Sequence, residues 1–161
     1  MKNTSIQRLK ELYLREHYKD SNFPRQCRIA PNYSDRTANG LTKCIVDFLR
    51  LSGHQAERIN TMGRPIDNTQ VITDCIGKKR RIGSMQWIPS GVTKGSADVS
   101  AIIAGRSVKI EVKAGKDRQS EVQREYQRKV EAAGGIYLIA TDFESFLQWY
   151  DKFIKEVRHG S

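Results

Sequence analysis

The alternation of apolar and polar positions is most regular over residues 97–113, where it predicts a β-hairpin. Two apolar runs flank Gly105-Arg106, so we place a two-residue turn there, with Ala104 opposite Ser107. A shift by one residue would mix apolar and charged side chains on both faces, which a buried face disfavours. One face of the predicted hairpin is then entirely apolar and consists of Val99, Ala101, Ile103, Val108, Ile110 and Val112.

The opposite face of the predicted hairpin carries two carboxylates and an amine. In this register Asp98 lies opposite Lys113, and Glu111 lies diagonally across from Asp98. Such diagonal neighbours are about 7–8 Å apart at Cα, which lets two carboxylates converge on one cation. The pattern favours a site, although a solvated strand face with an ordinary cross-strand ion pair is the simpler alternative.

Periodicity along the rest of the chain predicts further helices and strands. The run 136–140 is almost wholly apolar, which is typical of a strand buried on both faces. Short segments at 62–65 and 77–81 carry turn residues or clustered charge and are interpreted as turns. Helices are predicted over 4–19, 38–52 and 120–133 and over a last segment with Thr141 as N-cap and an apolar stripe from Phe143 to Val157, and strands over 54–61, 70–76 and 84–89.

A hairpin followed by a helix and a buried strand indicates an α/β fold. That order predicts a mixed central sheet flanked by helices on both sides, with an N-terminal helical extension. We divide the chain into this extension, 1–36, and an α/β domain, 37–158. The extension has three open interpretations: it packs on a partner subunit, it contacts nucleic acid, or it covers the core.

The charge distribution favours a polyanionic partner. The formal net charge is +10, and residues 77–118 hold ten Lys or Arg against three acids. A solvated basic surface that only adds solubility is the alternative. The residues chosen as candidate DNA contacts are Lys78, Lys79, Arg80, Arg81, Lys94, Lys116 and Arg118.

Composition also argues against several protein classes. The sequence has no apolar run of about 18 residues, so we expect no membrane span. No apolar segment follows Met1-Lys2-Asn3-Thr4, so we expect no secretory signal. The three cysteines are widely spaced without a C-x-x-C pair, which fits a reducing cytoplasm and argues against a disulfide framework or a zinc site.

The site residues and their surroundings resemble a known nuclease family. Asp98, followed on the next strand by Glu111-Val112-Lys113, resembles the PD-(D/E)XK nuclease superfamily. The resemblance extends over roughly 38–142 and is closest to the phage-type, Holliday-junction-resolvase-like VRR-NUC branch. The stretches that carry it are Leu49-Arg50-Leu51-Ser52-Gly53-His54, Arg58-Ile59-Asn60-Thr61, Lys94-Gly95-Ser96-Ala97-Asp98, Gln123-Arg124-Glu125-Tyr126 and Ala132-Ala133-Gly134-Gly135.

The resemblance implies a restriction-endonuclease-like sheet and a DNA endonuclease that depends on Mg²⁺ or Mn²⁺. By this resemblance Asp98 and Glu111 are metal ligands, joined by the backbone carbonyl of Val112. Lys113 is then the catalytic lysine and Gln123 a further active-site residue. Gln123 also fits a helix capping box begun by Ser120, and the two interpretations are compatible.

Two positions depart from the family pattern. Ala97 stands where the superfamily has proline, which is not a ligand. Many relatives also supply a glutamate from the first helix, where this chain has Asn39. A weaker or single metal site, or an acid supplied by Asp35 or Asp47, is compatible with that difference.

Two further functions remain open beside nuclease activity. A nucleic-acid-binding protein that keeps the fold but does not cleave would explain the missing first-helix acid. A basic structural partner of other proteins is the third. For a nuclease we expect a homodimer, because one site meets one strand at a time, in the cytoplasm (that of the host cell if the protein is phage-encoded). The substrate, whether plain duplex, flapped, nicked or branched DNA, stays open.

Overall fold

The fold is mixed α/β, as predicted. The computed structural model describes residues 4–60, 62–115 and 117–159. Its elements are α1 (Thr4–His17), a 3₁₀ turn (Arg25–Cys27), α2 (Ala38–Leu51), β1 (Gln55–Arg58), β2 (Arg64–Asp67), β3 (Gln70–Thr73), β4 (Lys79–Ile82), β5 (Met85–Ile88), β6 (Val99–Ile103), β7 (Arg106–Val112), α3 (Glu121–Ala132), β8 (Ile136–Ala140) and α4 (Phe143–His159).

A four-stranded mixed sheet in the order β1-β6-β7-β8 forms the centre of the larger unit. β1 pairs with β6 and β6 with β7 in antiparallel fashion, whereas β8 runs parallel to β7. Residues 1–59 and 94–161 make up this unit, and 60–93 make up a second one. The predicted boundary between 1–36 and 37–158 stays a prediction, although α1 contacts both α2 and α4.

The second unit consists of two short antiparallel ribbons. β2 pairs with β5, and β3 pairs with β4. The predicted turns at 62–65 and 77–81 were wrong in part, because Arg64 and Pro65 begin β2 and residues 79–81 belong to β4. Pro65 suggested a turn in the first segment, and the run of charged residues suggested one in the second. Neither a proline nor clustered charge prevents a strand at an exposed edge. Every residue of β3, β4 and β5 is exposed.

The apolar face of the β6–β7 hairpin is the floor of the core, as the alternation predicts. Each of its six apolar residues is at most 4% exposed. Helices α2 and α4 cover this face through a cluster of aromatic rings in which Phe48 makes edge contacts with Phe143, Phe146 and Tyr150. The N-terminal helix joins the same core through Leu9, which is fully buried.

The hairpin register differs from the predicted one by two residues. The turn is formed by Ala104-Gly105, so that Ile103 pairs with Arg106 and Val99 with Ile110. Because the difference is even, every side chain keeps its predicted face. Continued by one position, the register brings Asp98 level with Glu111, where the prediction placed these residues on a diagonal.

The reason for the shift lies in the backbone of the turn. Ala104 and Gly105 both have positive φ, 49° and 78°. Positive φ at both central positions is the pattern of a type I′ turn, whose twist matches that of the flanking strands. Gly105 accepts this conformation without strain, whereas Ala104 adopts a region that L-residues rarely occupy.

Two elements after the hairpin are less buried than predicted. β8 forms as expected, but it is an edge strand, so only Ala140 is buried and Ile139 is 41% exposed. α3 forms over the predicted range, yet it has no buried residue, and Val122 of its predicted inner face is 48% exposed.

No helix in the described part of the chain is long and apolar enough to cross a membrane.

The turn strain predicts a stabilising substitution. Ala104→Asn should raise the free energy of unfolding by about 0.5–1 kcal/mol, because Asn-Gly is the preferred pair for a type I′ turn. Ala104→Val should lower the same quantity, since a branched side chain tolerates positive φ worst. Urea unfolding of the three proteins checks both directions, and a stabilised Val variant would contradict this account of the turn.

Candidate functional site

The ends of β6 and β7 bring the two predicted carboxylates together. Asp98 directly precedes β6, and its Oδ2 accepts the backbone N–H of Val112 at 2.9 Å. Its own carbonyl accepts the N–H of Ile59 at 2.8 Å. Asp98 is therefore held through both its side chain and its main chain, level with Glu111 on the neighbouring strand.

Glu111 is an almost fully buried carboxylate surrounded by hydrogen-bond donors. It is 2% exposed. Lys113 Nζ lies 3.1 Å from Oε1, and Gln123 Nε2 donates to the same oxygen. The hydroxyl of Tyr137 lies 3.5 Å from the other oxygen, Oε2, which makes a longer contact. Donors from three different segments thus converge on one acid.

The electrostatics show that this acid is not fully compensated. Burial and, after it, the nearby charge of Asp98 raise the pKa of Glu111, and Lys113 offsets only part of this effect. Like charges that face each other across a strand pair repel. A cation between the two carboxylates would relieve that repulsion.

Lys113 remains an ammonium group in this environment. It is 7% exposed, and its Nζ lies 3.2 Å from Asp117 as well as 3.1 Å from Glu111. Burial alone would lower its pKa, but the two carboxylates outweigh burial and raise it. Lys113 therefore supplies positive charge and N–H donors rather than a free base.

Gln123 completes the predicted capping box and also contacts Glu111. Its Oε1 accepts the N–H of Ser120 at 2.9 Å while the Ser120 hydroxyl accepts the N–H of Gln123, which completes the predicted capping box. Its Nε2 donates to Glu111. The two ends of one amide thus connect the start of α3 to the acid.

A glycine allows this helix to approach the loop that carries Asp98. Gly95 has φ of +78°, and a Cβ at this position would lie 2.6 Å from the carbonyl oxygen of Val122 in the first turn of α3. Any side chain there would push the helix away. Gly95 therefore keeps Gln123 within reach of Glu111.

Two residues of the site were not identified from the sequence. Tyr137 belongs to an apolar run and was counted as core, but it stands on the polar side and contacts Glu111. The signal in the sequence was the hydroxyl group of Tyr137, the one polar group among the side chains of the apolar run 136–140. Asp117, four residues after Lys113, was counted only in the charge balance, although its carboxylate pairs with that amine. Burial and the charge of Glu111 raise the pKa of Tyr137, so its hydroxyl stays protonated.

The residues considered as substitutes for the first-helix glutamate make contacts of their own. Asn39 Oδ1 accepts a hydrogen bond from Arg58 at 2.6 Å. Asp35 accepts the N–H of Phe143 at 3.2 Å, at the start of α4. Asp47 pairs with Lys43 within α2. None of the three has a contact with Asp98 or Glu111 among the interactions of the described residues.

The basic residues chosen as DNA contacts fall into different environments. Lys94 and Arg118 are exposed in the larger unit, and Lys116 lies outside the described residues. In the second unit, Arg80 pairs with Asp74 and Arg81 with Asp67. Because successive strand residues alternate, Lys79 and Arg81 share one face of the β3–β4 ribbon and Arg80 lies on the other. The three cations of β4 are therefore divided between the two faces of the ribbon, and all four residues from Lys78 to Arg81 are exposed.

The donor set fits a magnesium-like cation better than a soft metal. Within residues 4–60, 62–115 and 117–159, no group of three or more His, Cys, Asp or Glu side chains is arranged to hold a metal ion. The site brings two carboxylates together, those of Asp98 and Glu111. Mg²⁺ is commonly held by one or two carboxylates while water and substrate phosphate complete its shell. Asp98 and Glu111 suit that pattern, and the Val112 carbonyl stays a ligand implied by the resemblance alone.

Comparison with known proteins adds no further assignment. No family model matches the chain, and no curated protein matches it in sequence.

Metal binding should be visible as thermal stabilisation. At a Mg²⁺ or Mn²⁺ concentration about 100-fold above Kd, binding contributes about 2.7 kcal/mol, which raises the unfolding midpoint by roughly 5–10 °C. Glu111→Gln should gain no such shift, because it loses a ligand charge. Differential scanning calorimetry of the two proteins, with EDTA or with metal, measures the difference. Equal shifts in both would exclude Glu111 as a ligand.

The raised pKa of Glu111 gives a pH dependence with a definite sign. A carboxyl whose pKa is raised by folding binds its proton more tightly in the native state, so its ionisation favours unfolding. Without metal, the wild type should therefore lose stability relative to Glu111→Gln as pH rises from about 4 to 7. Denaturant unfolding across that range tests it, and a gain for the wild type would be the opposite result.

Proposed function

We propose that this protein is a metal-dependent DNA endonuclease that hydrolyses phosphodiester bonds, related to the VRR-NUC branch that its sequence resembles. The observation that supports it best is the buried Glu111–Lys113 pair, level with Asp98 and contacted by Gln123. A buried acid with a raised pKa next to a second acid is a typical feature of a catalytic site rather than of a surface ion pair.

The two acids have the task of holding the cation. Asp98 is oriented by the Val112 N–H, and Glu111 is oriented by Gln123 and Lys113. A divalent cation held by these two acids would polarise a phosphoryl oxygen and lower the pKa of a water bound to it. The fixed orientation of both carboxylates means that little reorganisation is needed when the cation binds.

Lys113 has the task of stabilising negative charge. Its ammonium is buried and stays protonated, and it is held between Glu111 and Asp117. In this state it donates hydrogen bonds to a phosphate oxygen on which charge develops during hydrolysis. Because it already carries its proton, it does not act as the base that activates water.

DNA contacts would come from cations that lie near the site residues in the sequence and from cations on the ribbons. Lys94, Lys116 and Arg118 precede or follow the site residues along the chain, and Lys78 and Lys79 are exposed on the second unit. Non-specific phosphate contacts of this kind make binding salt-dependent.

We further propose a homodimer in the cytoplasm, so that two sites meet the two strands. Flapped, nicked and branched DNA are substrates to compare with plain duplex.

A nucleic-acid-binding protein without cleavage activity is the second candidate. The observation that favours it is the pairing of Asn39 with Arg58, together with the absence, among the described residues, of a group of three or more His, Cys, Asp or Glu side chains that could hold a metal ion. Such a protein binds DNA in a salt-sensitive manner, and Asp98→Ala leaves that binding unchanged.

Cleavage assays distinguish the two candidates. With Mg²⁺ or Mn²⁺, the wild type should cut at least one member of a panel of linear, nicked, flapped and branched DNA, and Glu111→Ala should not. Lys113→Met should lower kcat by roughly 10²–10³-fold with little change in DNA affinity, because it removes charge needed mainly in the transition state.

Matched variants make the result specific to the site. Lys155→Met removes one exposed lysine from α4 and should cleave like the wild type. Robust cleavage by Glu111→Ala, or by the wild type in excess chelator, would refute the nuclease proposal. Binding without any cleavage across the panel would establish the second candidate instead.

A further inference from the structure

A basic groove lies at the end of α1, outside the part of the chain that resembles the nuclease family. It has a volume of about 530 Å³. The residues that line it include four cations and no acid: they are Leu14, Arg15, Tyr18, Lys19, Arg25 and Arg28. A groove with this lining attracts a polyanion.

Two of these cations are available for a ligand. Lys19 and Arg25 make no side-chain hydrogen bond or ion pair in the described part of the chain, and both are exposed. The hydrogen bond from Arg15 and, after it, the charge of Lys19 lower the pKa of the nearby Glu16. The other two are engaged, since Arg15 pairs with Glu16 at 2.8 Å and Arg28 donates to the carbonyls of Phe23 and Ser21. The engaged pair shapes the groove, and Lys19 and Arg25 offer their charge to solvent.

Aromatic rings are stacked beside these cations. The Arg28 guanidinium lies 5.3 Å from the centre of the Tyr18 ring. Tyr18 and Phe23 are stacked, with ring centres 5.9 Å apart and planes 21° from parallel. Phe23 is 47% exposed although one of its faces packs on Tyr18. Part of its surface is therefore available to a further planar group.

We propose that this groove binds a single-stranded segment of nucleic acid. Cations that follow the backbone and an aromatic ring on which a base stacks are the two components of sequence-independent single-strand binding. Lys19 and Arg25 contact phosphates, and Phe23 stacks on a base. Paired bases within a duplex do not present their faces in this way. The inference goes beyond the proposed cleavage and does not require it.

The phosphate contacts are tested by the salt dependence of binding. An oligo-dT strand is titrated with protein in excess EDTA, where metal-dependent cleavage does not occur. Lys19→Ala/Arg25→Ala should reduce the slope of log K against log salt by about 1.4, or 0.7 for each phosphate that the variant no longer neutralises. Lys152→Ala/Lys155→Ala on α4 removes the same charge and should leave the slope unchanged. Equal slopes for the two double variants would overturn the proposal.

The stacking contact is tested with a strand that lacks bases. An abasic oligonucleotide of equal length carries the same phosphates, so the wild type should prefer oligo-dT by at least about fivefold. Phe23→Leu keeps an apolar side chain on Tyr18 but removes the ring, and should abolish that preference. If the wild type binds both strands equally, or if Phe23→Leu keeps the preference, the groove recognises polyanions in general and the proposal fails.

These measurements are independent of the nuclease proposal. Calorimetric unfolding of each variant confirms that the fold is retained, which is expected because Lys19 and Arg25 make no contact that folding needs. A protein that binds oligo-dT through the groove but cleaves no DNA would contradict the proposed nuclease function only. If the protein cleaves DNA but the two double variants show the same salt dependence of oligo-dT binding, only the proposal for the groove is contradicted.

Discussion

The buried carboxylate of Glu111 needs hydrogen-bond donors, and this requirement shapes the arrangement of residues on the polar face of the central sheet. Glu111 is excluded from water beside another acid, which is costly unless polar groups surround it. The chain meets this need from separate segments: the residue after β7, the first turn of α3, and β8. The contacts that surround the acid therefore also help to hold α3 on the polar face, whereas β8 is positioned by its pairing with β7.

The alternation of the hairpin could be derived from sequence because burial acts on every second residue. The predicted register was wrong by two residues, but each side chain was still assigned to the correct face, because the face changes only when the register shifts by an odd number of residues. The register itself depends on the geometry of the turn, which places Ala104 at positive φ. The sequence does not indicate this conformation, because alanine rarely adopts it. For the same reason Asp98 and Glu111 were correctly assigned to one face but placed on a diagonal.

Other parts of the structure depend on contacts that a linear pattern does not contain. In the β2–β5 ribbon, β5 was predicted, but β2 was interpreted as part of a turn because its short exposed segment lacks a clear apolar alternation and its partner lies about twenty positions away. Tyr137 was hidden among apolar neighbours, although a buried hydroxyl needs a partner. Gln123 was recognised because the capping box is a local pattern, and local patterns are what a sequence displays most directly.

The weak hydrophobic anchoring of α3 has a consequence for motion. Helices whose apolar side chains are deeply packed open only with the whole domain, whereas α3 has no buried residue and is held by polar contacts, a cap and the close approach at Gly95. Segments of this kind exchange their amide hydrogens through local opening at a fraction of the global unfolding free energy. Local opening of α3 would remove the Gln123 contact from Glu111 without disturbing the aromatic core that α2 and α4 form on the other face of the sheet.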